Sequence, residues 1–331
     1  MGLATDILSR YAPLIDDWDA FAAACGRPLP AVVWANPLRF EMLARLNRAD
    51  GHPVETGDGG RERAAAAGRM LAARLAARGN GCEPLAWLPG AMKVSGLAKP
   101  GNTLEHYLGI YHVQEEISLL PPRVLAPAPG ERILDLCAAP GGKTAQLAVA
   151  AGAAATIVAN DVRIDRLRAL RSNCERLGLL NVAMTAHDGT CFPLAAGLFD
   201  AILLDAPCSC EGNVRDTVGA SYELPGEFLT GRSGLQATLF GRAWKLLAPG
   251  GRLVYATCTF APEENEMVLD YSLKDGASIE PIAIPGLRAG PGVTEWRGTK
   301  LRRDCANVAR FWPHLNDTGG FTVALVRKES H

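Results

Sequence analysis

The sequence predicts an α/β fold, a mostly parallel sheet covered on both faces by helices, preceded by a smaller α+β unit. Two observations carry this. From about residue 107 strand-like apolar runs alternate with helix-forming text, the order that crossover connections require. Before that point the alternation is absent, and helical text, a glycine-rich stretch and short mixed segments follow one another instead.

Residues 1 to about 50 read as helical segments followed by a short extended piece, Val32 to Trp34. Gly51 to Gly60 reads as a loop. Arg61 to Arg78, rich in alanine and arginine, reads as a helix. Glu83 to Pro100 mixes Pro, Gly and apolar residues and reads as short strands. A boundary near Gly101 divides the chain into 1–105 and 106–331. His106 to Val124 reads as a helix that stops at Pro121-Pro122. Six strands follow: Arg132 to Leu136, Thr156 to Asn160, Val182 to Ala186, Ala201 to Leu204, Arg252 to Thr257 and Phe321 to Val326. Helical text lies between them, as in Lys143 to Ala151 and Asp165 to Leu177. In such a sheet, ligands bind beyond the carboxyl ends of the strands, so the residues there carry the functional reading.

Composition bounds that reading. The chain has 331 residues, and its 48% hydrophobic content is ample for a buried core. No apolar run is long enough to cross a bilayer, and the first residues lack a secretory pattern, so a cytoplasmic, non-membrane protein is expected. Nine cysteines, an odd number in a long chain, read as thiols. Cys208 and Cys210 are the one close pair, and no second pair or nearby histidine completes a zinc spacing, so no metal is expected. A formal net charge of -1 excludes a bulk basic nucleic-acid binder. Two local groups could still touch nucleic acid: Arg163, Arg166, Arg168 and Arg171, and Arg297, Lys300, Arg302 and Arg303. Each could equally be a solvated face.

The first strand runs into Cys137-Ala138-Ala139-Pro140-Gly141-Gly142-Lys143-Thr144 and then a helix. Small residues and glycines let backbone approach a ligand, and a helix start offers free N–H groups. The Gly-Lys-Thr ending resembles a nucleotide-hydrolase loop, but Cys137 stands where that loop requires glycine. The second strand ends at Asp161, placed to hold ribose hydroxyls, and the third at Asp188, placed to accept from an adenine amino group. Acids at strand ends are also turn formers. With Asp135 there are three in register, and the Gly-x-Gly-x-x-Gly of a dinucleotide site is missing. A methyl donor with one adenosine and no pyrophosphate fits better.

The fourth strand ends in Asp205-Ala206-Pro207-Cys208-Ser209-Cys210-Glu211-Gly212, the fifth in Thr257-Cys258-Thr259. Isolated free cysteines are usually small core hydrophobes. Two at adjacent strand ends beside an acid suit another task. A thiolate adding to C6 of cytosine turns C5 into a nucleophile that can accept a methyl group. An acid near N3 stabilises the developing charge, and a base then removes the C5 proton. Amino-group methyltransferases usually carry Asn/Asp-Pro-Pro-aromatic at the fourth strand end, which Asp205-Ala206-Pro207-Cys208 does not match.

With these stretches together, the chain resembles the RNA cytosine-5 methyltransferases, the family of the bacterial rRNA enzymes and the eukaryotic Sun-domain proteins. The matching residues are Gln114-Glu115-Glu116 with Leu119-Leu120-Pro121-Pro122, Asp135 to Thr144, Asp161, Asp188, Asp205 to Gly212, Thr257-Cys258-Thr259 with Pro262-Glu263-Glu264-Asn265-Glu266, and Arg310 to His314 with Gly320-Phe321. The resemblance implies a Rossmann-like class I methyltransferase with a mostly parallel seven-stranded sheet, and S-adenosylmethionine held by residues 137–143, Asp161, Asp188 and Asp205. It implies that Cys258 attacks C6, that Cys208 helps release the product, that Asp205 contacts and activates the cytosine, and that Lys143 lies near the reacting base. In DNA cytosine-5 enzymes the Pro-Cys cysteine attacks, which would be Cys208; the Thr-Cys motif favours Cys258. Cys210 departs from the family, which usually has glycine there. The expected partner is structured RNA, rRNA before tRNA and not DNA, bound by a monomer whose residues 1–105 resemble an RNA-binding extension. Two other readings remain: an inactive RNA-binding ribosome assembly factor and a small-molecule methyltransferase.

Overall fold

The computed structural model describes residues 8–46, 60–215, 226–273 and 276–330. The expected loop at Gly51 to Gly60 lies, but for Gly60, outside these residues.

The small N-terminal sheet is antiparallel. Its strands are β1 (Ala31–Ala35), β2 (Gly81–Pro84), β3 (Ala91–Ser95) and β4 (Tyr111–Val113), in the order β2-β3-β1-β4. Between β1 and β2 the described residues hold α1 (Pro37–Leu46) and α2 (Gly60–Ala76). Phe40, Ala67, Leu71 and Leu75 of these helices cover one face of the sheet, packing on Val33, Ala35, Met92 and Val94. Because side chains alternate along a strand, Val32 and Trp34 point the other way, into the core of the large domain. The sheet is therefore docked on that domain through its second face. Trp34 Nε1 donates to Gln114 at 3.3 Å, Trp87 Nε1 to Glu116 at 3.0 Å, and Asn36 Nδ2 to the Gly109 and Leu177 carbonyls.

The large sheet uses β5 (Arg132–Asp135), β6 (Thr156–Asn160), β7 (Val182–Thr185), β8 (Phe199–Asp205), β9 (Leu247–Thr257), β10 (Ala277–Glu280) and β14 (Phe321–Lys328), in the order β10-β14-β9-β8-β5-β6-β7. β5 to β9 are parallel, β14 runs antiparallel to them, and β10, antiparallel to β14, runs in their direction again. Strands β5, β8 and β9 are buried on both faces, which is why their text is a nearly unbroken apolar run. Ile133, Leu203 and Val254 pack beneath α4 (Gly142–Ala151) and α5 (Ile164–Leu177). Leu134, Leu204 and Tyr255 pack beneath α6 (Gly226–Leu246) and α7 (Glu266–Ser272). In register Asp135 lies beside Leu203, Asp205 beside Ala256, and Thr257 beside Thr322, so the strand ends form one edge.

The expected strands and the helices between them are present, and three details differ. His106 to Val124 is not one helix. A single turn ends at Tyr107, β4 follows, and α3 (Leu120–Leu125) begins rather than ends with Pro121-Pro122. Proline fits a first helical turn because the N–H groups there have no helical acceptor. β13 (Ala309–Phe311) adds an eighth strand to the seven along the main path, and β11 (Glu295–Trp296) and β12 (Thr299–Lys300) form a separate ribbon. The sequence boundary near 105 is crossed in both directions. β4 belongs to the small sheet, while Ser9–Cys25 pack on the large domain, where Phe21 meets Phe260 edge-on at 5.6 Å and Tyr11 stacks on Trp296 at 6.3 Å.

β13 is fastened to the start of α7 by the Arg310–Glu266 pair, both ends almost fully buried. Arg310 also donates to the Phe260 carbonyl at 2.8 Å. Arg310→Met leaves the Glu266 carboxylate buried without its cation, and is expected to lower stability by about 3–5 kcal/mol. Urea unfolding checks this, and the double variant with Glu266→Met should recover most of the loss.

Candidate active site

The turn after β5 is shaped to receive a ligand. Gly141 has φ +101° and precedes α4 with no side-chain cap, leaving N–H groups of the first turn available. A side chain at Gly141 would strike Leu170 Cδ1 at 2.5 Å, and one at Gly142 would approach Gln114 Oε1 at 3.0 Å and His112 Nε2 at 3.4 Å. The peptide between Ala139 and Pro140 is cis. Ala138 N donates to the Asn160 carbonyl at 2.7 Å, Asn173 holds the Pro140 carbonyl at 2.9 Å, and Arg166 donates to the Ala139 carbonyl. The loop is thus pinned on three sides.

A cavity of about 150 Å³ opens beside it, lined among others by His112, Gln114, Asp135, Ala138, Lys143 and Asp205. Asp135 is almost fully buried. One oxygen accepts from Thr144 Oγ1 at 2.6 Å and the other has no partner within the protein. Burial pushes its carboxyl up to about 7, against the Thr144 hydrogen bond and with repulsion from Asp205. An orphaned buried oxygen, exposed helix N–H groups and a glycine floor fit a small, partly cationic ligand carrying a carboxylate. Asp161 is also buried, but its oxygens already accept from Ala139 N at 3.2 Å and Arg163 N at 2.9 Å, and Arg166 lies at 3.3 Å.

At the inner end of the cavity Lys143 Nζ lies 2.8 Å from Asp205 Oδ2 and 3.0 Å from Ser118 Oγ. Burial alone would lower the ammonium's pKa. The charge of and hydrogen bond to Asp205, with Cys258 and Asp135 nearby, outweigh it and raise it. Lys143 is therefore a cation whose charge acts on both Asp205 and Cys258.

Beyond this pair, Cys208 Sγ and Cys258 Sγ are 3.4 Å apart, and Cys210 Sγ completes a trio within 4.8 Å. A buried polar network fixes them. Thr257 Oγ1 donates to Asn265 at 2.6 Å, and Asn265 Nδ2 donates to the Thr259 and Ala261 carbonyls. Glu264 receives Ser209 N at 2.9 Å and Gln236 Nε2 at 2.8 Å. Thr259 and Tyr11 both reach Glu211. Gly212 N donates to the Cys258 carbonyl, and a Cβ on Gly212 would overlap the Gly320 carbonyl at 2.1 Å. The Cys208 hydrogen bond lowers the Cys258 thiol's pKa. Hydrogen bonding with Cys210, burial and the neighbouring negative charges outweigh it, and the net direction is up. Hydrogen bonds to Cys210 and Cys258, then burial, raise Cys208 as well. Three thiols this close do not ionise together in a poorly solvated place.

Asp205, Lys143 and residues 137–142 thus meet at one edge, with Cys208 and Cys258 next to them. Cys258 is not part of the small cavity's lining but adjoins it through Lys143. Asp188 stands apart: it is exposed and caps a turn, accepting from Thr190 N at 2.9 Å. The two basic groups are partly neutralised, Arg163 by Asp165, Arg171 by Glu175 and Arg302 by Asp304. Sequence reasoning assigned no site role to His112, Gln114 and Ser118, although Gln114 stood in a quoted motif. His112 Nδ1 faces an Arg176 guanidinium N–H at 2.6 Å, and burial followed by Arg176 pushes its pKa down to about 3. The ring is neutral and turns Nε2 towards Gly142. A larger cavity of about 810 Å³ lies elsewhere, among Arg10, Glu263, Met267, Tyr271 and Arg297, with no cysteine among its described lining residues.

Comparison with known proteins fits this geometry. The sequence profile of the family described as 16S rRNA methyltransferase RsmB/F matches residues 122–327. The chain is 40% identical over 233 residues to the tRNA (cytosine(49)-C(5))-methyltransferase of Pyrococcus abyssi, covering 69% of this chain and 73% of that enzyme. It is 38% identical over 320 residues to ribosomal RNA small subunit methyltransferase F of Serratia proteamaculans, covering 94% of this chain but 59% of that one. It is 36% identical to the human 28S rRNA (cytosine(4447)-C(5))-methyltransferase, covering 80% of this chain and 33% of that enzyme. A solved structure of a methyltransferase homologue from Pyrococcus horikoshii superposes with a TM-score of 0.76 at 28% identity, covering 98% of this chain and 99% of that one. The chain belongs to the RsmB/F family and has its class I, S-adenosylmethionine-dependent methyltransferase fold.

Proposed function

We propose that the protein transfers a methyl group from S-adenosylmethionine to C5 of a cytosine in structured RNA, rRNA before tRNA, through a covalent bond between Cys258 and C6. The observation that carries this is the Lys143–Asp205 pair at 2.8 Å, beside two thiols 3.4 Å apart, Cys208 from the tail of β8 and Cys258 from the tail of β9. Relatives named as tRNA and rRNA cytosine-5 methyltransferases support the substrate class.

The cofactor, when bound, supplies an electrophilic methyl group. Its residues would be the 137–142 loop and Asp135, with Asp161 behind the loop; Asp188, whose turn contacts both fall on Oδ1, would take part through Oδ2. Cys258 gives up its thiol proton to solvent and adds to C6 as a thiolate, with the Lys143 ammonium offsetting its charge. The ring nitrogen N3 gains electron density as C6 is attacked. A proton from Lys143, passed through Asp205, neutralises it there. C5 is then an enamine carbon and takes the methyl. After a base removes the C5 proton, the Cys258–C6 bond breaks, and Cys208, in contact with the departing sulfur, assists its release. The target base must leave its stack to reach this edge. Residues 1–105 are proposed to help hold the RNA, the protein acting as a monomer and not on DNA. Among the described residues no helix is long and apolar enough to cross a membrane.

Cys258→Ala is expected to lose methyl transfer to RNA by more than about a thousandfold, with cofactor binding unchanged. Cys208→Ala should still attack and should accumulate a protein–RNA adduct that survives denaturing electrophoresis. Tritium transfer from labelled cofactor is the readout, and a fully active Cys258→Ala variant would sink the proposal.

Asp135 gives an independent pH signature. Its carboxyl is raised to about 7 in the free protein, and a sulfonium or ammonium brought near its orphaned oxygen favours the ionised form. Its pKa falls on binding, so binding releases a proton near pH 7, and affinity rises with pH up to about 7 and then levels. Calorimetric titrations at pH 6.5 in buffers of different ionisation enthalpy should show the release. Asp135→Asn should abolish it.

A further inference from the structure

The sequence offered Cys208 and Cys210 as an incomplete metal pair. Folding supplies a third thiol, from a different strand end. All three sulfurs lie within 4.8 Å of one another, and the Cys208–Cys258 separation is 3.4 Å. Zinc bonds sulfur at about 2.3 Å, and tetrahedral ligation then places sulfurs about 3.8 Å apart. The 3.4 Å pair and the 4.8 Å limit on all three separations are compatible with that spacing. Cys210 is in it because of its backbone: φ is +61°, a left-handed conformation uncommon for a residue with a Cβ. The same turn lets its sulfur approach the Cys208 carbonyl at 3.5 Å.

The surroundings suit a thiolate cluster. Lys143 acts on Cys258, and Arg232 and Arg166 act on Cys210, so positive charge faces the trio from three elements. Cys208 is buried, whereas Cys210 and Cys258 are partly exposed, leaving a path for an ion and room for a solvent ligand.

We propose that Cys208, Cys210 and Cys258 form a zinc site that switches the enzyme off. Zinc takes three thiolates and one water. Each thiol still protonated releases its proton to solvent as its Zn–S bond forms, and no electrons move. The ion then occupies the sulfur lone pair of Cys258 that C6 addition needs. Zinc binding stands on the sulfur geometry alone. The inhibition rests on the proposed role of Cys258.

The test uses the full-length, reduced, metal-free protein and Cys210→Gly, a change that relieves the left-handed backbone while removing one ligand. Zinc is titrated in competition with a chromophoric chelator, and cobalt(II) is added separately to look for thiolate-to-metal charge-transfer absorption. One zinc should bind per chain, and Cys210→Gly, Cys208→Ser and Cys258→Ser should each weaken it roughly tenfold or more. Zinc should inhibit methyl transfer by the wild type, a chelator should restore it, and Cys210→Gly should need roughly tenfold more zinc or greater for the same inhibition. If Cys210→Gly binds zinc as tightly as the wild type, or neither binds it at micromolar free ion, the site is overturned. If zinc binds in a Cys210-dependent way while methyl transfer continues unchanged, the site stands and the assignment of Cys258 as nucleophile falls.

Discussion

The active edge depends on the buried polar lacing that ties the tail of β8 to the tail of β9. Parallel neighbours leave their strands with no reason to keep their loops together. Here Ser209 meets Thr259 at 2.7 Å, Glu264 grips Ser209 N, and Asn265 clamps Thr257 and the Thr259 carbonyl. Each bond is made out of water, where an unmade partner costs about 1–3 kcal/mol, so the network tolerates few alternative arrangements. Two thiols come to rest 3.4 Å apart as a consequence.

The Pro262-Glu263-Glu264-Asn265-Glu266 run shows how this is encoded. Glu263 receives Trp296 Nε1 at 3.0 Å and pairs with Arg10, drawing in the N-terminal segment and the β11–β12 ribbon. Glu264 serves the Cys208 loop, Asn265 the Cys258 loop, and Glu266 holds Arg310 of β13. Four successive polar side chains fix five different segments. Gly212 and Gly320 permit the close backbone approach that the arrangement needs, since a Cβ at Gly320 would enter the Phe260 ring.

The same crowding has an electrostatic cost. Cys208 eases the ionisation of Cys258, but Cys210, burial and the charge of Asp205 oppose it and prevail, and the compensating cation is Lys143, itself held by Asp205. Cys210 adds a third sulfur to a place where two suffice for the proposed chemistry. The cofactor cavity is built by other means, with an under-satisfied Asp135 and free helix N–H groups, and the two halves of the site meet at the Lys143–Asp205 pair.

The sequence by itself determined the parallel sheet, the approximate spans of six of its strands and the residue types at their ends, but not β10 or the early starts of β8 and β9. Hydrophobic runs and turn residues are local signals, and the Asp205 to Gly212 and Thr257-Cys258-Thr259 stretches carry their residue types openly. Tertiary structure decided which of those residues share a space. Asp188 reads like Asp161, yet one caps an exposed turn and the other is buried beneath the loop. Pro121-Pro122 reads as a helix stop but opens a helix, because proline's missing N–H is harmless in a first turn. The place of His112 at the cavity and of Cys210 beside the other two thiols was not legible along the chain, since Trp34 and His112, paired in β1 and β4, stand 78 positions apart and meet only once the small sheet has formed, and Cys210 reaches Cys258 only where the tails of β8 and β9 come together. Distances of that kind are set by packing two layers together, which no local pattern contains.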